Sequence, residues 1–155
     1  HQAKKFFKNN ELIEFEKYYQ QAMITQEACN YEKTLELLDQ TQTVAKTTGE
    51  KARISQLRGS AYAQLKRYEE AKASFTEVTS NEKDVLKTGG SMYALPFAYC
   101  GLTEVAIVEK DIKAATAYLK KSKAFSNYEF ETLLSWRLRK CEDDIRFLNG
   151  KFPAQ

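Results

Sequence analysis

The chain has 155 residues, 43% hydrophobic and 29% charged, a balance that fits one globular domain with a real core and excludes a disordered chain. Two prolines and six glycines are few for this length; they exclude a many-turned all-β architecture and leave an all-α class. A formal net charge of +3, from 24 basic and 21 acidic residues, is too small for the basic patch of a nucleic-acid-binding domain, so no nucleic acid is expected.

Cys29, Cys100 and Cys141 are odd in number, show no CxxC spacing, and have no histidine near them, the single histidine being His1. They read as reduced thiols of an intracellular, cytoplasmic protein, with no metal and no cofactor implied. No window is apolar enough to span a bilayer, and the N-terminus lacks a signal-peptide pattern. A chain that opens on His1 instead of methionine reads as a fragment.

In chain order, Leu12, Phe15, Tyr18, Tyr19, Ala22 and Met23 recur near helical spacing and predict a first helix within 3–28. Asn9-Asn10 is a candidate break that leaves Phe6 and Phe7 on an earlier element, where an exposed pair would favour self-association through the N-terminal helix. Asn30 caps a second helix from Tyr31 to about Lys46, with Leu35, Leu37 and Leu38 as its contacts and Thr47, Thr48 and Gly49 as its stop.

A third helix over about 50–66 turns Ile54, Leu57, Ala61, Tyr62 and Leu65 to one side and the polar Arg53, Gln56, Ser60 and Gln64 to another. A fourth, over about 69–79, packs Ala71, Phe75 and Val78 back on it. Residues 81–95 form a longer connection, flexible at Gly89-Gly90, with Ser91 as the cap of the fifth helix and Pro96 in that helix's first turn. The fifth helix runs to about Glu109, and a sixth spans about 111–124. The last starts from Ser126 and Glu129 in capping-box spacing, carries Leu133, Leu134, Trp136, Leu138, Cys141 and Ile145, and ends near Gly150. Seven helices, give or take one, are expected.

The segment LRGSAYAQLKRYEEAKASFTEV, from Leu57 to Val78, organises the rest. Gly59, Tyr62, Ala71 and Phe75 stand as the close-approach glycine, the tyrosine and the alanine–phenylalanine pair of a helix-turn-helix repeat, and resemble the tetratricopeptide repeat (TPR) family. Ala22, Tyr31, Thr34 and Leu38 match the frame upstream, in place of Gly59, Tyr68, Ala71 and Phe75. Thr103, Ile112, Ala115 and Leu119 match it downstream. The offsets are 37 (from 22 to 59) and 44 (from 59 to 103), against a family period of about 34. Ser55, Arg58 and Lys83 depart from the pattern. The resemblance implies antiparallel helix pairs stacked as a short right-handed α-solenoid, with units at about 11–47, 50–80 and 91–124 and a capping helix over about 127–149, all in a single domain 1–155.

Gly59, Glu70-Ala71, Phe75, Glu82-Lys83, Tyr93, Leu95-Pro96-Phe97-Ala98, Tyr128, Glu131, Leu134 and Arg137 are similar to the C-terminal part of the tetratricopeptide repeat protein 39 family, related to the fungal inclusion-body clearance protein. Thr132-Leu133 departs from it. This likeness implies a non-enzymatic adaptor in lipid homeostasis or inclusion clearance, with no catalytic residues to carry over.

Aligning the first helices by Ala22, Gly59 and Thr103 brings Tyr19, Met23, Arg53, Gln56, Ser60, Phe97, Cys100 and Glu104 to one side. These are the expected lining of a concave groove that binds a peptide or partner protein; the competing reading packs Tyr19, Met23 and Phe97 under the closing helix or against further repeats. A peripheral lipid-binding role is the alternative function, motivated by Lys110, Lys113, Lys120, Lys121 and Lys123. An enzyme has little support, since no nucleophile stands beside a base and no glycine loop cradles phosphate.

Overall fold

The computed structural model describes the backbone of residues 2–150 and the side chains from Glu14 onward; the exposure of Phe6 and Phe7 lies outside the described residues. Among the described residues eight α-helices succeed one another: α1 (Gln2–Glu27), α2 (Tyr31–Val44), α3 (Thr48–Gln64), α4 (Tyr68–Thr79), α5 (Glu82–Leu86), α6 (Ala94–Val108), α7 (Ile112–Lys123) and α8 (Glu131–Leu148). A 3-10 turn, Gly89–Ser91, precedes α6, and no strand occurs among the described residues. The backbone of α1 is continuous through Asn9-Asn10.

Three hairpins, α1 with α2, α3 with α4 and α6 with α7, stack in sequence order, and α8 lies on α6 and α7. Their turns share one geometry. Cys29, Lys66 and Lys110 adopt left-handed φ of 60°, 62° and 60°. In each turn the next amide reaches back over the last helical turn: Asn30 N–H to Thr25 O at 2.8 Å, Arg67 N–H to Tyr62 O at 2.9 Å, and Asp111 N–H to Ala106 O at 2.9 Å. These 6→1 bonds satisfy carbonyls that a helix end otherwise orphans. The turns recur at the offsets of 37 and 44 that relate Ala22, Gly59 and Thr103. Tyr31, Tyr68 and Ile112 each open the second helix of a pair, so the repeat register holds.

Side-chain caps explain the starts of α2, α3 and α7. The Asn30 side chain accepts from Lys33 N–H at 3.4 Å and that of Asp111 from Ala114 N–H at 3.1 Å. Thr47, expected to stop α2, instead starts α3. Its hydroxyl accepts from Glu50 N–H at 3.0 Å, and Glu50 Oε1 accepts in return from Thr47 N–H at 3.0 Å and Lys46 N–H at 2.8 Å. This capping box satisfies the orphan amides at once and brings Thr48 and Gly49 into the helix.

The insertion before α6 is ordered by packing. Val85 of α5 is fully buried in the central core with Phe75, Val78, Leu95 and Leu102, and Gly89 turns the chain at φ 56°. Ser91 does not cap α6, which begins after Tyr93 without a side-chain cap; Pro96 sits in its first turn, as expected.

Helix α8 differs most from expectation. Ser126 and Glu129 form no capping box; the N-cap is Phe130, at a left-handed φ of 67°. That conformation lays the Phe130 ring edge-on against Tyr93 and Phe97, with centroids 5.4 and 6.4 Å away. Leu134, Leu138, Cys141 and Ile145 face inward, whereas Leu133 and Trp136, expected in the core, point outward at 59% and 67% exposure. The helix ends before Gly150, at φ 66°, in the place where the sequence puts its stop.

Candidate functional site

The first helices of the first two pairs meet the start of α8 around Arg53. Phe15 and Tyr19, one turn apart on α1, stack with ring centroids 5.7 Å apart. The Arg53 guanidinium of α3 lies 4.3 Å from the Tyr19 ring centroid and 5.2 Å from that of Phe15. Arg53 also donates a bidentate pair to Glu16, at 2.6 and 3.2 Å, and Nε–H to the Tyr93 hydroxyl at 3.3 Å. The Tyr93 hydroxyl in turn lies 3.1 Å from that of Tyr19. One side chain thereby ties α1, α3 and the segment before α6 into a fixed arrangement, a use suited to a planar fork of donors.

The electrostatics reflect that geometry. The Glu16 carboxyl is held below its ordinary range by its hydrogen bonds to Arg53. Burial, with Tyr93 alongside, pushes the Tyr19 phenol well up. For Arg53, burial opposes the charge, but the Glu16 carboxylate and the two tyrosine oxygens outweigh it and hold the guanidinium above its usual value. Over this floor opens a cleft of about 360 Å³, bordered by Glu16, Gln20, Met23, Ser91, Glu129 and Phe130.

The eight residues expected to line one groove divide into separate places. Tyr19, Met23 and Arg53 meet in this cleft, Tyr19 buried as its floor and the other two half-buried. Gln56 is buried. Half-buried Ser60 accepts from Gln26 Nε2 at 3.0 Å. Phe97, Cys100 and Glu104 lie under α8: Phe97 packs with Leu134 and Leu138, Cys100 is fully buried, and Glu104 pairs with Arg137. A single open groove along all three first helices is therefore corrected by α8, which covers the inner face of α6.

Glu16, Tyr93, Glu129 and Phe130 belong to the cleft but escaped the sequence reading. Tyr93 and Phe97, four residues apart, carried the only local signal; the Glu16–Arg53 pair spans 37 positions and leaves no local pattern.

A second constellation lies between α6 and α8. Ligand atoms of Cys100, Glu104 and Cys141 all lie within 4.8 Å of one another. The Arg137 guanidinium fixes the Glu104 carboxylate through two hydrogen bonds, one of them Nε–H to Oε2 at 3.3 Å. The proximity of Cys141, with burial, pushes the Cys100 thiol far up, which leaves it a poor nucleophile.

Lys110, Lys113, Lys120, Lys121 and Lys123, in α7 and the turn before it, are exposed. Lys123 pairs with Glu142, and Lys121 Nζ sits 5.6 Å from the Tyr99 ring centroid. Among the described residues no helix is long and apolar enough to cross a membrane. No family model, curated protein or solved structure matches the chain.

Proposed function

We propose that the chain is a non-enzymatic interaction scaffold, a short tetratricopeptide-like array akin to the C-terminal part of the tetratricopeptide repeat protein 39 family. It docks a peptide or partner protein in the cleft between α1, α3 and the start of α8. The observation that carries this reading is the Tyr19–Arg53–Tyr93 floor, an aromatic and guanidinium surface whose rotamers are already fixed by Glu16 and by one another. Tyrosine and arginine are the side chains most enriched where binding energy concentrates, and prior fixation removes the ordering cost of binding.

A photo-crosslinker at Met23, compared with one at the exposed Lys113 of α7, tests it. A discrete adduct at Met23 that is absent at Lys113 and lost on Glu129→Arg, at an exposed position bordering the cleft, with an unchanged unfolding midpoint, is expected. Equal labelling at both positions overturns the cleft as the docking place.

A second reading rests on the outward face of α8, where Leu133 and Trp136 stand exposed beside Arg139, whose guanidinium lies 5.4 Å from the Trp136 ring centroid. Exposed tryptophan beside basic residues suits an anionic lipid interface. Trp136 is the single tryptophan, so its emission reports contact directly. A blue shift with phosphatidylserine vesicles, abolished by salt, supports a peripheral adaptor; unchanged emission excludes it.

A further inference from the structure

We propose that Cys100, Glu104 and Cys141 form a site for a borderline-soft divalent cation of the zinc class, clamping α8 onto α6. Cys100 and Glu104 stand four residues apart on one face of α6, and Cys141 meets them from α8. Their ligand atoms lie within 4.8 Å of one another, whereas ligand atoms around a tetrahedral zinc are about 3.5–4 Å apart. Closure requires a shift of about 1.3 Å at most, within reach of side-chain torsions.

Two thiols and one carboxylate are the donor set that zinc accepts and that magnesium or calcium does not favour. Charge points the same way. Two thiolates, one carboxylate, a divalent ion and the Arg137 guanidinium sum to zero, so the loaded cluster places no net charge against the buried α6–α8 contact. Arg137 already orients the Glu104 carboxylate through both of its oxygens, as an outer partner of a ligand does.

An entry path exists. A cleft of about 230 Å³ between the end of α3, the start of α4, α6 and α8 is lined by Glu104, Lys140, Cys141 and Asp144. It reaches two of the three ligands, Glu104 and Cys141, and leaves room for water, or the Asp144 carboxylate, as a fourth donor. Binding exchanges two S–H bonds for two metal–sulfur bonds and sends two protons to solvent, with no change of oxidation state.

Titration of the full chain with Co²⁺, in a phosphine reductant that keeps the thiols free, tests the site. Expected are one ion per chain with sulfur-to-cobalt charge-transfer absorption, two protons released per ion in weak buffer, displacement by Zn²⁺, and a higher unfolding midpoint with Zn²⁺. Cys29→Ser, at an exposed cysteine, keeps all of these. Cys141→Ala loses the charge-transfer band. Glu104→Gln, isosteric and at a half-exposed position, keeps the band but weakens binding by about tenfold or more. Absence of the band in the parent chain, its survival in Cys141→Ala, or unchanged affinity in Glu104→Gln overturns the assignment. Should Cys141→Ala fail to fold, proton release by the parent chain and the Glu104→Gln affinity still decide it.

Discussion

Phe75 of α4 presses against the backbone of Gly101 in α6: a Cβ at position 101 would stand 2.3 Å from its Cζ, and one at Gly59 in α3 2.6 Å from its Cε1. A single ring is clasped between two helices that belong to successive pairs. Because the ring is fully buried, it cannot swing aside. Gly101→Ala and Gly59→Ala should each lower stability by about 1–3 kcal/mol through overpacking, despite the gain of about 1 kcal/mol that alanine brings to a helix. Denaturant titration checks this, and a raised midpoint in either variant would mean the clasp is looser than described.

The three left-handed turns give the opposite prediction. A non-glycine residue at such φ carries a penalty of about 1–2 kcal/mol, partly returned on substitution to glycine because glycine costs more entropy to order. Lys66→Gly, at an exposed position, should therefore raise stability by about 0.5–1 kcal/mol, and Lys110→Gly should do the same. A thermal midpoint that falls in both would contradict the shared turn geometry.

The two faces of α8 differ in what truncation does. Leu134→Ala removes a fully buried side chain from the contact with Tyr93 and Phe97 and should cost about 2–5 kcal/mol. Leu133→Ala, one residue earlier and pointing outward, should stay within about 0.5 kcal/mol of the parent. Equal losses would mean that the helix is rotated about its axis.

Stability should also depend on acid through Glu16. Its carboxyl is depressed below the ordinary value of 4.5 by Arg53, so the folded chain holds that proton less tightly than the unfolded one. The contribution is complete above the ordinary value and disappears as pH falls through the depressed one. Glu16 is about half exposed, at 47%, so solvent screening keeps the effect below about 1 kcal/mol. Midpoints measured at pH 6 and pH 3 should differ less in Glu16→Gln than in the parent; an identical pH dependence would show that the pair contributes nothing.

At several helix starts and turns, where structure depends on neighbours in sequence, the sequence is informative. Asn30 and Asp111 announce their helices through side-chain caps, and the offsets of 37 and 44 place all three turns. Local reading failed where two local signals compete, as at Thr47-Thr48-Gly49, which resembles a stop until Glu50 is recognised as the other half of a capping box. It failed again at Ser126, where the spacing of a cap is present but the aromatic contacts of Phe130 delay the helix to Glu131. Gly101 was invisible because its partner comes from the preceding pair, outside the frame of one repeat. The candidate groove was misjudged for a related reason: three first helices can be aligned by eye, but which of them α8 lies across is decided by contacts between residues about forty positions apart, such as Cys100 and Cys141.

The strip formed by Tyr93, at the N-cap of α6, with Phe97 and Cys100 of that helix is already filled by its own chain. Helix α8 is joined to α7 only through the short segment 124–130, and a connection of that length presents a tethered helix at an effective concentration on the order of millimolar. A free helical peptide making the same contacts must reach about that concentration before it holds the strip half the time. A free helix at ordinary cellular levels is thereby excluded from this strip by competition alone, through the tether more than through any difference in affinity.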